Sequence, residues 1–332
     1  HQRLIKRDTL PSKIGMSVNN FSLIADIGGT NARFAMVETG SINPTNIRNL
    51  AVDDFASIDL AIKQYLSDLG SDVPDRCCIA IACPTHNDRI SMTNNGWVFS
   101  KRDLQNHFGI EQLSVINDYA AMAYAAANLT GDQLIQVGRG EPLEDFPIAV
   151  LGAGTGLGVS GLVRSGGASI PLVTEGGHVD FAPTTEQEVA ILRWLLKRYE
   201  RVSAERLVSG MGIQNIYQAL AELRGSPVER ISPAEISRLA FEERDQFALE
   251  TLEQFCKIYG SVAGNLALSY GAQGGVFVTG GIVPKMLDFF IESGFRQRFE
   301  AKGRFDQYMS TIPTYVMTAE EPGLIGAAAA LV

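Results

Sequence analysis

Cysteines and basic residues are few for the length of this sequence. Its 332 residues include four cysteines, and no two of them have the CxxC spacing of a zinc or thioredoxin-like site. Lys and Arg number 28 against 37 Asp and Glu, which gives a formal net charge of -9. Because nucleic-acid-binding proteins usually concentrate basic residues on one face, this composition argues against a nucleic-acid partner. We expect the cysteines to be reduced and close to the core.

Long hydrophobic runs are lacking as well. No apolar stretch approaches the ~18 residues that a membrane helix needs, and the first 20 residues lack the apolar centre of a secretory signal. We therefore expect a cytoplasmic protein with no membrane partner. The sequence begins at His1, and Met16 offers a natural start. Residues 1–19 are accordingly interpreted as an N-terminal extension, tag-derived or disordered.

Glycine is abundant, with 33 residues, and it is clustered in two similar segments. Residues 21–38, FSLIADIGGTNARFAMVE, combine an apolar strand, a glycine turn and a second strand. Residues 146–163, FPIAVLGAGTGLGVSGLV, repeat this pattern about 125 positions later. The repeat and the chain length predict two α/β halves that face a cleft.

The first glycine turn carries an acidic residue just before it. Adjacent Gly28 and Gly29 would let backbone N–H groups point at phosphate oxygens, and Thr30 could donate a further hydrogen bond. Asp26 could hold Mg²⁺ through water. The alternative is an ordinary hairpin turn.

The second glycine turn contains a GxGxxG pattern at Gly156, Gly158 and Gly161. A dinucleotide-binding fingerprint requires a helix that begins within the glycines, whereas GVSGLV predicts another strand. The sequence has no Walker-type GxxxxGK[ST] motif. A phosphate-binding hairpin is therefore preferred to a Rossmann or P-loop site.

Asn117 and Asp118 end the segment QLSVIND, residues 112–118, directly before the alanine-rich segment YAAMAYAAANL. This places Asp118 where a strand ends and a helix begins, at the sheet edge where α/β proteins bind ligands. An amide beside a carboxylate suits a polyol whose hydroxyl loses a proton during phosphoryl transfer. The alternative role for Asp118 is to cap the helix.

Glu175 and His178 flank two glycines in EGGH. Both side chains could converge on adjacent hydroxyl groups, since neutral histidine both donates and accepts hydrogen bonds. A purely structural histidine is the alternative. A zinc site is not supported, because no further Cys or His lies at suitable spacing.

Together these motifs resemble those of bacterial glucokinases, and more narrowly the enterobacterial-type group. The resemblance rests on ADIGGTNARFA, CIAIACP, MTNNGW, INDYAAMA, GAGTGLG, EGGHVDFAP, SAERLVSG and GGVFVTGGIVP, in this order over residues 20–332. It implies an actin-like, hexokinase-type fold with a cleft between a small and a larger α/β domain, and a homodimer. The expected small domain comprises residues 20–119 plus 320–332, and the large domain comprises residues 120–319.

The resemblance also implies which residues bind the ligands, namely glucose, ATP and Mg²⁺. Asp118 would be the general base of glucose phosphorylation. The expected sugar-binding residues are Asn94, Asn117, Asp118, Glu175, His178 and Glu205. The expected nucleotide-binding residues are Ala25, Asp26, Ile27, Gly28, Gly29, Thr30, Gly154, Thr155, Gly156, Gly280 and Gly281. From the sequence alone, the simpler explanation of Glu205 is a favourable charge at a helix start.

Related and rival classes differ from this pattern in definable ways. The ROK kinases and repressors usually carry a cysteine-rich zinc motif after their ExGH segment, and this sequence lacks those cysteines. A sugar-responsive transcription regulator would need a DNA-binding module, which the residues before the first strand cannot contain. An actin-like ATPase that needs no sugar is the remaining rival. Sugar-dependent ATP turnover would distinguish it.

Overall fold

Two large β-sheets and one small two-stranded sheet organise residues 20–332, which are the residues that the computed structural model describes. The predicted extension 1–19 lies outside the described residues. The strands are β1 Phe21–Ile27, β2 Asn31–Glu38, β3 Thr45–Ala51, β4 Arg76–Ile81, β5 Arg89–Ser91, β6 Val98–Ser100, β7 Gln112–Asn117, β8 Leu134–Val137, β9 Ile148–Ala153, β10 Leu157–Ser165, β11 Ala168–Val173, β12 Val276–Thr279 and β13 Thr314–Met317.

The two large sheets share one topology. The first has the order β3-β2-β1-β4-β7, with β1 antiparallel to β2 and parallel to β4. The second has the order β11-β10-β9-β12-β13-β8, with β9 antiparallel to β10 and parallel to β12. Strand β8 is an additional antiparallel edge strand. The predicted repeat of the glycine hairpin is therefore confirmed, and the two hairpins occupy equivalent positions in the two sheets.

Helices cover the sheets, and their ends follow local sequence signals. The helices are α1 Ile58–Leu69, α2 Lys101–Phe108, α3 Asp118–Ala126, α4 Glu186–Leu196, α5 Gly210–Leu223, α6 Pro233–Phe241, α7 Gln246–Tyr270, α8 Leu287–Glu292, α9 Phe295–Glu300, α10 Asp306–Thr311 and α11 Pro322–Ala329. In α7, for example, the Asp245 side chain accepts a hydrogen bond from the Ala248 N–H at the start, and Gly271 ends the helix with φ +60°.

One predicted helix begins in the wrong place. The sequence pattern predicts a helix over residues 204–222, whereas the structure has a single 3₁₀ turn at Ala204–Arg206 followed by α5. Ser209 separates them, because its hydroxyl accepts a hydrogen bond from the Gly212 N–H at 3.0 Å and so caps a new helix.

Helices α3 and α11 pack together between the two sheets. A Cβ atom at Gly326 would overlap the Ala121 carbonyl, so only glycine permits this approach. One face of the pair joins a cluster that contains Ile24 of the first sheet, and the other joins a cluster that contains Val150 of the second. The predicted boundary near residue 119 falls in α3, and the division into domains stays a prediction.

All four cysteines lie in the interior, as expected. Cys77, Cys78, Cys83 and Cys256 are buried and free of disulfides. Within residues 20–332, no helix has both the length and the apolar character needed to cross a bilayer.

Candidate active site

A polar cleft of about 530 Å³ opens between the two sheets, at the carboxyl ends of β4, β7, β9 and β12. This is the edge at which α/β sheets bind ligands. Ten of the predicted site residues line it: Asn94, Asn117, Asp118, Gly154, Thr155, Gly156, Glu175, His178, Glu205 and Gly280. All six predicted sugar-binding residues therefore lie in one cavity.

Asp118 is the first residue of α3, directly after β7. Its Oδ1 accepts a hydrogen bond from the Tyr119 N–H at 2.9 Å. Burial raises the pKa of the Asp118 carboxyl above its ordinary value, the Tyr119 N–H lowers this pKa, and the charge of Glu175 raises it further. The carboxylate is thus held in place and has a higher affinity for a proton than an exposed aspartate, which suits a general base.

Asn117, rather than Asp118, caps helix α3. The Asn117 Oδ1 accepts hydrogen bonds from the N–H groups of Tyr119 at 2.9 Å and Ala120 at 3.3 Å. The alternative in which Asp118 serves as the helix cap is therefore wrong. Because the amide oxygen of Asn117 is engaged in capping, its NH₂ group is the part available to a ligand in the cleft.

Glu175 and His178 lie on the loop after β11, joined by a short turn. The His178 N–H donates to the Glu175 carbonyl at 3.0 Å and closes a 3₁₀ turn over Gly176–His178. A Cβ atom at Gly177 would overlap the Leu157 carbonyl. The glycines of EGGH therefore let this loop pack against the start of β10, which brings both side chains to the cleft.

Glu205 is held by β10 rather than by a helix start. It lies in the 3₁₀ turn Ala204–Arg206, and its Oε2 accepts a hydrogen bond from the Leu157 N–H at 2.9 Å. The interpretation of Glu205 as a favourable charge at a helix start is wrong, because α5 begins later, at Gly210. A Cβ atom at Gly156 would collide with the Glu205 carboxylate.

Tyr119 occupies space that the second hairpin leaves open. The Tyr119 hydroxyl donates to the Gly152 carbonyl at 3.0 Å, and a Cβ atom at Gly152 would lie 2.5 Å from that hydroxyl. A Cβ atom at Gly158 would overlap the Tyr119 ring. By contrast, a Cβ atom at Gly154 would have no neighbour within 4 Å. The chain continues into strand β10 as predicted, which excludes the dinucleotide fingerprint.

The first hairpin lies beside this cavity, and its residues do not line it. Asp26 is half-buried near the end of β1, and Arg33 lies close to it, with Nη1 3.6 Å from Asp26 Oδ2. Burial raises the pKa of Asp26 to about 6, Arg33 lowers it, and the charges of Asp118 and Glu321 raise it. The remaining predicted nucleotide residues of this hairpin are Ala25, Ile27, Gly28, Gly29 and Thr30.

The loop that carries Asn94 packs against the first hairpin. A Cβ atom at Gly29 would lie 2.9 Å from Asn94 Cβ, and the Asn95 Nδ2 donates to the Gly28 carbonyl at 3.0 Å. These contacts place the Asn94 loop beside the turn. Only glycine at position 29 allows so close an approach.

Comparison with known proteins identifies the family. The family model described as Glucokinase matches residues 23–332. The glucokinase of Hahella chejuensis (strain KCTC 2396) is 46% identical over 316 residues, which cover 95% of this chain and 98% of the relative. That of Cronobacter sakazakii (strain ATCC BAA-894) is 43% identical over 314 residues, with coverage of 95% and 98%. The crystal structure of a glucokinase from an Antarctic psychrotroph matches with a TM-score of 0.89 and 40% identity, over 94% of this chain and 98% of that one.

The chain belongs to the glucokinase family. The resemblance that the sequence motifs indicated is therefore confirmed, and with it ATP-dependent phosphorylation of glucose as the activity of the family. More distant sugar kinases, including ROK proteins, share the fold. The predicted actin-like, hexokinase-type fold is confirmed.

Several residues that line the cleft are not predicted from the sequence. They are Cys83, Pro84, Thr93, Tyr119 and Thr174. Cys83 and Pro84 follow strand β4, so the rule that ligands bind at the carboxyl edge could have found them. No sequence signal indicates the role of the Tyr119 side chain, because the residue that its hydroxyl binds, Gly152, lies 33 positions away along the chain.

Gly281 lies apart from its neighbour Gly280. It lines a second cavity of about 360 Å³ between α5, α6 and the segment after β12, together with Ile213, Phe241 and Met286. Gly280, in contrast, has φ +88° and lines the main cleft. The two adjacent glycines therefore line two different cavities, a polar cleft and a more apolar cavity.

Proposed function

We propose that this chain transfers the γ-phosphoryl group of ATP to the 6-hydroxyl of D-glucose, with Asp118 as the general base. The observation that carries this proposal is the position of the Asp118 carboxylate, fixed by the Tyr119 N–H at 2.9 Å in a cleft lined by amide, carboxylate and imidazole groups. Asp118 would accept the proton of the sugar hydroxyl as the new O–P bond forms.

The sugar would be held from both sides of the cleft. From the side of the first sheet, Asn94 and Asn117 would bind hydroxyl groups beside Asp118. From the side of the second sheet, Glu175, His178 and Glu205 would bind the remaining hydroxyls. Carboxylates accept and amides donate hydrogen bonds, so this set suits a neutral polyol.

The nucleotide would extend along the edge of the second hairpin. The Gly154-Thr155-Gly156 turn and the Gly28-Gly29-Thr30 turn would face the phosphates with the backbone N–H groups of Gly29, Thr30, Thr155 and Gly156. The N–H groups of Gly28 and Gly154 instead donate within the hairpins, to the Asn31 and Gly156 carbonyls, each at 2.9 Å. Lys and Arg are absent from these turns, so backbone dipoles would provide much of the charge stabilisation. The adenosine would reach past Gly280 into the cavity beside Gly281, whose apolar walls suit a base.

The acidic groups around Asp26 fit Mg²⁺. The half-buried Asp26 carboxylate lies near the negative charges of Asp118 and Glu321. Arg33 contacts Asp26 and Glu321 and offsets part of the repulsion among these groups, and a dication would offset more of it. Among residues 20–332 no three acidic, His or Cys side chains form a metal cluster, so the ion would depend on the ATP phosphates and water, as Mg²⁺ commonly does. Asp26 would hold it through water, and the ion would neutralise charge on the transferred group.

Closure of the cleft would separate sugar phosphorylation from wasteful hydrolysis of ATP. The packed pair α3 and α11 lies between the sheets and carries Asp118 at its cleft end, so it suits a hinge. We further propose a cytoplasmic enzyme that forms a homodimer, in keeping with the family resemblance.

A hexose panel tests this function. Purified protein with Mg²⁺ and ATP is assayed for ADP release with glucose, mannose, glucosamine and fructose, and without sugar. We expect turnover that depends on sugar and is fastest with glucose. ADP release at the same rate without sugar would contradict the proposal and favour a sugar-independent ATPase.

A further inference from the structure

The two loops that carry the sugar-binding residues of the second sheet are joined by backbone hydrogen bonds. The Phe181 N–H donates to the Val202 carbonyl at 3.0 Å, and the Ala204 N–H donates to the Val179 carbonyl at 2.8 Å. These bonds connect the end of the EGGH loop to the segment just before Glu205. Glu175, His178 and Glu205 are consequently presented by one connected unit.

Arg201 adds a side-chain connection at the exposed side of this unit. Its Nη1 donates to the His178 carbonyl at 2.8 Å and lies 2.5 Å from Asp180 Oδ1. The last carbonyl groups of a helical turn have no partner within it, and His178 ends the 3₁₀ turn that begins at Gly176. Arg201 therefore binds the carbonyl at the end of the turn that orients Glu175 and His178.

We infer that Arg201 is a positioning residue for glucose, which acts through the His178 backbone to hold the EGGH turn against the Glu205 segment. This inference rests on the proposed function, because it assigns the sugar to Glu175, His178 and Glu205. Arg201 is not among the residues that line the cleft, so its effect on the sugar is indirect.

The hydrogen bond to the carbonyl, rather than the ion pair, carries this role. The side chains of Arg201 and Asp180 are 55% and 77% exposed, and ion pairs exposed to this extent contribute little. The bond to the His178 carbonyl restricts the backbone of the turn itself. Loss of this bond would allow Glu175 and His178 to adopt several orientations, which weakens sugar binding more than nucleotide binding.

The test compares Arg201→Gln with Arg193→Gln in the full chain. Arg193 is an exposed arginine of α4 with no ion pair among residues 20–332, so it is a matched control. For Arg201→Gln we expect KM for glucose to rise about three- to tenfold, the range for one lost hydrogen bond, with KM for ATP changed less than about twofold. Arg193→Gln should match the unmodified enzyme in both constants.

Two further variants separate positioning from general structure. Arg201→Lys keeps a donor that can reach the carbonyl, so it should recover part of the glucose KM. Asp180→Asn removes the ion pair and leaves the carbonyl bond, so it should change glucose KM less than Arg201→Gln does. Thermal unfolding of each variant checks that the fold is intact.

Three outcomes would overturn the inference. They are an unchanged glucose KM in Arg201→Gln, parallel increases in both KM values, and an effect of Asp180→Asn as large as that of Arg201→Gln. Glucose-dependent turnover by the unmodified enzyme is measured first. Its absence would refute the proposed function, whereas its presence with unaltered Arg201→Gln kinetics would refute this inference alone.

Discussion

The two glycine hairpins hold equivalent places in the two sheets and use their residues differently. In the first, the residues between the closing pair Ile27 and Ala32 form a turn of four. In the second, three residues separate Ala153 from Leu157. Because both hairpins have the same topology, clustered glycines in the sequence predict a hairpin. They do not predict the role of each glycine.

The two hairpins differ in the residues next to their turns. The first hairpin has Asp26 one residue before the end of its first strand. The second hairpin has Gly152 at the corresponding position, and Gly152 contacts Tyr119. In the second hairpin Gly158 makes room for the Tyr119 ring and Gly156 for the Glu205 carboxylate, while Gly154 faces open space. One glycine-rich motif thus combines an observed packing role with the proposed sugar-binding and phosphate-binding roles. Each can be tested by adding one methyl group.

The largest expected effect is on stability, at Gly158. Gly158→Ala places a methyl group inside the Tyr119 ring, so we expect a loss of roughly 3 kcal/mol in the free energy of unfolding and a Tm lower by about 6 to 12 °C. The measurement is thermal unfolding. In a Tyr119→Ala background the same change should cost little, since the clash is gone. An equal cost in both backgrounds would contradict the packing role.

An intermediate effect is expected at Gly156, on sugar binding. Gly156→Ala displaces the carboxylate of Glu205 from the Leu157 N–H, so KM for glucose should rise about tenfold, as for a lost hydrogen bond to a charged group. The Glu205 side chain is flexible at its end, so the Tm should change little. Steady-state kinetics with each substrate varied decides the matter. A rise confined to KM for ATP would assign Gly156 to phosphate binding alone.

A smaller effect is expected at Gly154, on nucleotide binding only. Gly154→Ala meets no protein atom within 4 Å, so the fold should be unaffected. The methyl group would nevertheless obstruct the approach of phosphate, and KM for ATP should rise about threefold or more. Gly96→Ala, which also meets open space but lies outside the cleft lining, is the matched control. Equal behaviour of the two variants would remove Gly154 from the phosphate site.

The smallest expected effect is on the pH dependence of kcat/KM, through the interaction of two carboxylates across the cleft. As the proposed base, Asp118 must be ionised to accept a proton, so kcat/KM should fall as the pH drops through its raised pKa. Glu175 contributes to that rise, so Glu175→Gln should lower the pKa of Asp118 and move the acidic limb of the profile to lower pH. The measurement is kcat/KM for glucose against pH. A limb that stays in place or moves upward would disprove this coupling.

The sequence predicts those features that depend on neighbouring residues. Apolar runs predict the strands β1, β7 and β9, and the end of β7 places Asp118 at the ligand-binding edge. The family motifs indicate the residues that we expect to bind sugar, and the fold brings these residues into one cleft.

Contacts between residues that are far apart in the sequence cannot be predicted from local sequence patterns. Leu157 binds Glu205 across 48 positions, and Tyr119 binds Gly152 across 33. In each pair, the residues next to one partner in the sequence contain no pattern that predicts the other partner. The sequence predicts a helix from residue 204, before its actual start after Ser209, for a related reason. Alanine and glutamate in SAER favour a helix, and the tertiary contacts that override this preference are not visible in the local sequence.

The most direct test of the account is the comparison of Asp118→Asn with the unmodified enzyme, measuring glucose affinity by calorimetry and kcat by ADP release. The amide keeps the shape of the side chain and cannot accept the proton. We predict a kcat lower by about 10² to 10⁴, with glucose affinity within a few-fold and the fold intact. A kcat close to that of the unmodified enzyme would contradict the assignment of Asp118 as the base.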